Sequence, residues 1–271
     1  MQKVKEYLEH PLTRGKSIDD PSTSELRKEI IKSKPFLYSL YREWYKLLIN
    51  SLPEINGKIL ELGSGGGFLA ELIPDLIASD IIFLNKLSLI CDARSLPFVG
   101  DSFKAIVMVN VLHHIPCIDS FFKSASRVLK RGGRIIMIEP WLTKTSKLIY
   151  KNMHHELFDE KQKAWQLSTD SPLSSANGAL PWIVLQRDIR KFEALFSEFK
   201  ILKIHKMMPL SYLLSGGVSM RSLIPGFLYS PIRFIENILE KNFTSTGMFA
   251  LAILEKNAES GKFVQRNIRK Q

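Results

Sequence analysis

Residues able to do chemistry cluster at the ends of apolar runs in this 271-residue chain. The first cluster lies in the stretch 58–72, KILELGSGGGFLAEL. Ile59, Leu60 and Leu62 form the short apolar run of a strand buried on both faces, interrupted by the carboxylate of Glu61. Gly63, Ser64, Gly65, Gly66 and Gly67 follow, and residues 68–73 read as the first turns of a helix. In a strand–glycine turn–helix the backbone approaches a nucleotide-like ligand closely at the strand's carboxyl end. Glycine suits the turn because positive φ costs it little and it has no Cβ to block a ligand. Phe68 stands where the dinucleotide fingerprint needs a small residue, and no lysine is placed for a P-loop. What remains is acid-x-G-x-G-x-G, from Glu61 through Gly63 and Gly65 to Gly67. Further on, His113 and His114 follow another apolar run, and imidazole exchanges protons near neutrality. Glu139 ends a third run. A second pair, His154 and His155, sits on a segment read as helical, where neighbours diverge by about 100°, so at most one faces a given pocket. No third ligand stands at a supporting spacing, so no metal is expected.

The elements that must position these residues follow from periodicity. Aromatic and aliphatic residues at helical spacing over 25–51 predict two helices, the second opened by Pro35. Strands are predicted at 76–83 (carrying Asp80), 88–91, 105–111, 134–139, 200–208 and 248–254. Asp92 follows the 88–91 strand in the segment DARSLPF. A helix over 118–129 is expected to close on Arg131-Gly132-Gly133 as a glycine cap. Residues 168–184, containing Trp182, read as a long loop, and 188–196 as a helix. Strands alternating with helices mean a doubly wound, parallel α/β sheet.

Taken in order, ELGSGGG, Asp80, DARSLPF, DSFKAIVMVNVLHHI and RVLKRGGRIIMIEP resemble the methyltransferase type 11 group of class I S-adenosylmethionine-dependent methyltransferases. The resemblance covers residues 58–140. It implies a Rossmann-like, seven-stranded sheet, mostly parallel with an antiparallel C-terminal hairpin, plus an N-terminal helical cap. The expected organisation is a tail and cap over 1–54, the methyltransferase domain over 55–256 with insertions at 141–185 and 209–242, and a basic tail over 257–271. It implies S-adenosylmethionine as cofactor. Glu61 and the backbone from Gly63 to Gly67, with Ser64 and Phe68, would hold its methionine end, and Asp80 its ribose hydroxyls. Asp80 lies only 13 residues after Gly67, closer than usual, so the first crossover is shortened. Asp92, with the Ala93 backbone, would take the adenine amino group, and Asn110, Val111 and Leu112 would lie under the cofactor. His113 or His114 is the candidate base and Glu139 a candidate acceptor-binding carboxylate. Trp141, His154, His155 and Trp182 are candidates for acceptor contact. NGALPWIV and YLLSGGVS resemble bacterial members of the group, some encoded beside surface-polysaccharide genes, which hints at a glycan.

Composition narrows the classes. Hydrophobic residues make up 45% and mean hydropathy is −0.02, as in a globular protein with a sizeable core. Two cysteines, Cys91 and Cys117, exclude a disulfide framework. No h-region or spanning segment is evident, so the expected location is cytoplasmic, with a peripheral contact at the inner membrane face as a variant. The net charge of +11 suits an acidic partner or a solvated basic surface. Nucleic acid is disfavoured because NVLHHI stands where base-amine enzymes carry an Asn-Pro-Pro-Tyr type motif. The expected function is methyl transfer to O or N of a small molecule or glycan. The alternatives are a lipid or isoprenoid-quinone acceptor at a membrane surface, or a non-catalytic adenosyl-binding scaffold. In 209–242, apolar residues at helical spacing with Arg233 and Lys241 among them fit a lid, a dimer interface or a membrane contact.

Overall fold

The computed structural model describes residues 10–12, 21–85, 87–153, 157–168, 175–243 and 245–258. Two helices come first, α1 (Pro21–Ser33) and α2 (Pro35–Asn50), the latter with proline in its first turn as expected. The sheet is built from β1 (Lys58–Leu62), β2 (Leu76–Asp80), β3 (Leu89–Ile90), β4 (Phe103–Val109), β5 (Leu129–Pro140), β6 (Phe199–Met207) and β7 (Phe249–Lys256). Its order is β3-β2-β1-β4-β5-β7-β6, parallel except for β7, which runs antiparallel to both neighbours. The seven-stranded, doubly wound architecture with its antiparallel hairpin is therefore present. The order in which successive strands are added reverses between β1 and β4, and ligands of such sheets bind outside the carboxyl ends of the strands at that switch point.

Strand interiors are apolar because both faces are covered: Ala105, Ile106, Val107 and Met108 of β4 and Ile135 to Ile138 of β5 are fully buried. Helix α2 supplies Leu37, Leu40, Trp44, Tyr45 and Leu48 to this core and buries Phe36 against Tyr229, so its aromatic stripe is mainly packing. Helix α3 (Ile118–Val128) supplies Phe121 and Phe122, which pack on each other, and Phe122 meets Phe192 of α5 (Ile189–Leu195). Between them lies α4 (Lys144–Met153).

Four local expectations are corrected. The predicted first crossover helix is a single 3₁₀ turn, Leu69–Glu71. Only residues 63–75 separate β1 from β2, and once five of them form the glycine turn too few remain for an α-helix. Helix α1 fills the place instead. Lys28 and Lys32 pair with Glu71 at 2.8 Å, and a Cβ on Gly66 would lie 2.5 Å from Cβ of Arg27. Second, α3 ends without a glycine cap, because Leu129 is already extended and begins β5. Phe103 pairs with Leu129 but Ala105 with Arg134, so Gly132 and Gly133 serve a bulge. Third, β2 stops at Asp80, where its carboxylate accepts N–H groups of Ile81 and Ile82 and turns the chain. Fourth, the 168–184 loop turns helical at Leu180–Trp182, continuing as a π turn over Ile183–Arg187.

Beyond β6 comes a short helix α6 (Ser211–Ser215) and then α7 (Tyr229–Asn242). Arg233 of α7 is buried and its guanidinium meets Glu43 of α2 at 2.8 Å, Glu236 at 2.6 Å and Glu240 at 2.9 Å. Glu236 also accepts from the N–H groups of Leu210 and Ser211 and from the Ser211 hydroxyl. Replacing Arg233 by alanine strands Glu236, which has no exposed surface, and Glu240. The expected cost is about 3–5 kcal/mol, read from urea unfolding. A loss below about 1 kcal/mol would show that the cluster does not anchor the insertion.

Candidate cofactor and active site

The glycine turn leaves β1 in left-handed conformations, with φ of 66° at Gly63 and 46° at Gly65. A Cβ on Gly65 would meet nothing closer than the Gly63 carbonyl at 3.9 Å, so the turn is open there. The turn is pinned from below: the Gly65 N–H donates to Oδ2 of Asp80 at 2.8 Å and the Ser64 N–H to the Ser79 carbonyl at 2.9 Å. The Ser64 hydroxyl donates to Oε2 of Glu61 at 2.6 Å, and the Phe68 N–H reaches the Tyr45 hydroxyl of α2. Glu61 and Asp80, at the ends of neighbouring strands, therefore stand beneath one turn.

Glu61 is almost wholly buried, and burial pushes its carboxyl up to about 7; the Ser64 hydrogen bond pulls it down, and nearby Asp80 pushes it up further. A carboxylate held at this balance ionises readily when a cation arrives. Asp92 is half-buried and gripped by Arg94, whose backbone N–H and guanidinium both donate to it. Burial would raise the Asp92 carboxyl, but the Arg94 hydrogen bonds outweigh it and hold the group below its ordinary range. Ala93 lies beside it, half-buried.

Asn110, just past β4, takes a left-handed φ of 58°, and its Oδ1 is buried without a hydrogen-bond donor. Val111 and Leu112 donate their N–H groups to Oε1 of Glu139, at 2.8 Å each. The other oxygen of Glu139 lies 2.6 Å from Nδ1 of His113. Both side chains are buried, and the His113 carbonyl accepts the N–H of Asn177. Glu139, expected as an acceptor-binding carboxylate, instead spends its oxygens inside the protein, where it orients His113 and the turn after β4. Of the histidine pair, whose ring centroids are 4.2 Å apart, His114 is the half-exposed member.

Of the acceptor candidates, Trp141 is wholly buried and belongs to the core, which corrects its expected role. Trp182 is half-buried against that core. His154 and His155 lie outside the described residues. Two contributors had no sequence signal beyond their type: Tyr45, whose hydroxyl lies over the glycine turn, and Asn177. The Asn177 amide joins Asp159, Gln162 and Ala179 into one buried knot against His113. A depression of about 430 Å³ lined by Leu52, Gly57, Ile59 and Pro74 lies at the amino end of β1, away from this chemistry.

The residues present fit an adenosyl sulfonium ligand. The turn leaves backbone room at Gly65, three carboxylates stand at the ends of β1, β2 and β3, and the orphaned Asn110 Oδ1 awaits a donor. Fold and site together define a Rossmann-like domain whose glycine turn and strand-end carboxylates suit an adenosyl sulfonium ligand. Residues 60–137 match the model of the family described as "Methyltransferase domain", and the chain carries such a domain. It is 28% identical over 141 residues to the ubiquinone/menaquinone biosynthesis C-methyltransferase UbiE of Rhizobium rhizogenes, covering 51% of this chain and 47% of that one. It is 29% identical over 126 residues to UbiE of Rickettsia typhi, covering 37% and 51%. The chain thus spans about half the length of the curated relatives it matches. A solved structure, geranyl diphosphate C-methyltransferase from Streptomyces coelicolor A3(2) in complex with Mg²⁺, geranyl diphosphate and S-adenosyl-L-homocysteine, shares the fold. Its TM-score is 0.51 at 14% identity, covering 92% of this chain and 89% of that one.

The raised Glu61 carboxyl has opposite consequences for stability and binding. A carboxyl whose folded value lies above its unfolded one costs stability as pH rises from 4.5 through about 7. Glu61→Gln is therefore expected to stabilise the protein at pH 8 by up to about 3 kcal/mol. It should also weaken S-adenosylmethionine binding and abolish its pH dependence. In the parent, affinity falls by about tenfold per pH unit below 7, as binding must displace a proton. Thermal scans and calorimetry at several pH values read both, and a glutamine variant that keeps the pH dependence would contradict the assignment.

Proposed function

We propose that the chain transfers the methyl group of S-adenosylmethionine to a lipid-borne acceptor of the isoprenoid-quinone class. The carrying observation is the intact set of Glu61, Asp80 and the open glycine turn, with Asn110 unpartnered beside it. The acceptor class rests on the quinone C-methyltransferases to which the chain is similar, and it replaces the glycan or small-molecule O or N acceptor expected from motifs alone.

When bound, S-adenosylmethionine would supply an electrophilic methyl carbon open to in-line attack, its bond to sulfur breaking as the new bond forms and the sulfur leaving as a thioether. The chain's residues supply position. Glu61 would face the ammonium of the methionine end, Asp80 would offer a lone pair of Oδ2 to a ribose hydroxyl, and Asp92 would accept from the adenine amino group with the capacity that Arg94 leaves. Alignment of nucleophile, carbon and leaving sulfur accounts for much of the rate. An acceptor hydroxyl or ring carbon must also lose a proton. The half-exposed His114, in the turn after β4, is the candidate base, and His113, fixed by Glu139, holds the turn that carries it.

Calorimetry with S-adenosylmethionine and S-adenosylhomocysteine on the parent and on Asp80→Ala comes first, with binding expected to weaken at least about tenfold in the variant. Transfer of labelled methyl to a detergent-dispersed demethylquinol should then exceed transfer to a lipid-linked glycan. Binding with transfer only to the glycan would overturn the acceptor class, and no binding by folded parent protein would leave a scaffold.

A further inference from the structure

The polarity of α7 is reversed with respect to the protein it packs on. Three of its four charged residues point inward: Arg233 is 6% exposed and Glu236 0%, and with Glu240 they serve the buried cluster with Glu43. Its large apolar residues point outward, with Phe234 68%, Ile235 54% and Ile238 47% exposed. Phe227, just before the helix, is 79% exposed, and Phe243, just after it, 56%. A helix docked for its own stability presents its apolar face to the core. The sequence placed Arg233 among apolar residues at helical spacing without showing which face it takes. The arginine is what fastens the helix, and the apolar face is left for something else.

The electrostatics of that face select the occupant. Both acids of α7, Glu236 and Glu240, are turned into the cluster, so its exposed side carries no carboxylate. Lys241 stands exposed in its last turn, and Arg42 and Lys46 of α2 rise exposed beside Asn237. A second copy pressed against this face would bring like charges together on a chain of net charge +11. Among the described residues no helix is long and apolar enough to cross a membrane, so any lipid contact made by these helices lies at the surface. Aromatic and branched side chains seated at the headgroup boundary, with lysine and arginine at the rim, are the chemistry of interfacial binding to anionic lipid. The geometry points to α7 as a membrane-docking helix, held to the domain by Arg233 and applying Phe227, Phe234, Ile235 and Ile238 to an anionic bilayer surface. This stands on the orientation of α7 and not on the acceptor assigned above.

The test is co-sedimentation of the full chain with vesicles of phosphatidylcholine alone or mixed with phosphatidylglycerol. The parent is expected to partition onto the mixed vesicles in a salt-sensitive manner. The double variant Phe234→Ser, Ile238→Ser should lose at least about tenfold in partitioning. Lys46→Glu should weaken binding to the mixed vesicles only. The changed side chains are exposed, so the thermal midpoint and S-adenosylmethionine affinity should stay those of the parent. Equal partitioning of parent and double variant, or none by the parent, overturns the proposal. So does a parent dimer that the double variant dissolves without any vesicle binding, which would assign the face to a second copy. Cofactor binding in solution and methyl transfer in detergent are read separately, so either reading can fail alone.

Discussion

The carboxyl edge of this sheet depends on one constraint: a buried carboxylate must find hydrogen-bond donors, and here the donors are the neighbouring strand's loop. Asp80 at the end of β2 accepts from Gly65 in the turn after β1. Glu139 at the end of β5 accepts from Val111 and Leu112 in the turn after β4 and orients His113. Removing either acid would leave several backbone N–H groups unpaired in the interior, at a cost of about 1–3 kcal/mol each. The loops that meet a ligand are thereby shaped by side chains from the adjacent strand. The switch point between β1 and β4 is a rigid cleft because each wall is tied from outside it.

Glu61 stands apart from this pattern. It receives one hydroxyl hydrogen bond, from Ser64, and burial leaves its carboxyl titrating near neutrality. A group so placed destabilises the domain at high pH, and its retention beside an open turn makes sense if its partner is a cation that arrives with the ligand. Local strain of this kind belongs at functional sites, where it readies the site for binding.

The sheet was legible because its signals are local. Apolar runs of strand length, a glycine turn and Asp80 at the end of β2 lie within short windows, and their order set the topology. The short crossover was legible too, from Asp80 standing only 13 residues after Gly67, but not what covers it: α1 lies far upstream, and the Arg27–Gly66 contact has no signature in periodicity. The glycine pair at 132–133 was misread because a glycine after a helix suits a cap and a bulge equally, and only pairing of β4 with β5 decides. Glu139 and Trp141 looked like site residues from their place at a strand end, yet their burial is a tertiary property. The reversal of α7 was hidden for the same reason. Periodicity shows that a helix has two faces, not which one the protein keeps.

Three consecutive residues of α2 join the parts. Glu43 reaches Arg233 and the Tyr229 hydroxyl of the inserted segment. Trp44 stacks on Tyr212, packs on Phe249 of β7 and donates its indole N–H to the Met208 sulfur. Tyr45 receives the Phe68 N–H at the end of the glycine turn. Successive side chains on a helix diverge by about 100°, so one turn of α2 faces the insertion, the sheet and the cofactor turn at once. A helix is stiff over this length, so the angle between the outward face of α7 and the open side of the glycine turn is set by α2 and does not drift. The inserted segment and the glycine turn are thus tied to one rigid element, the arrangement that the proposed surface acceptor would need.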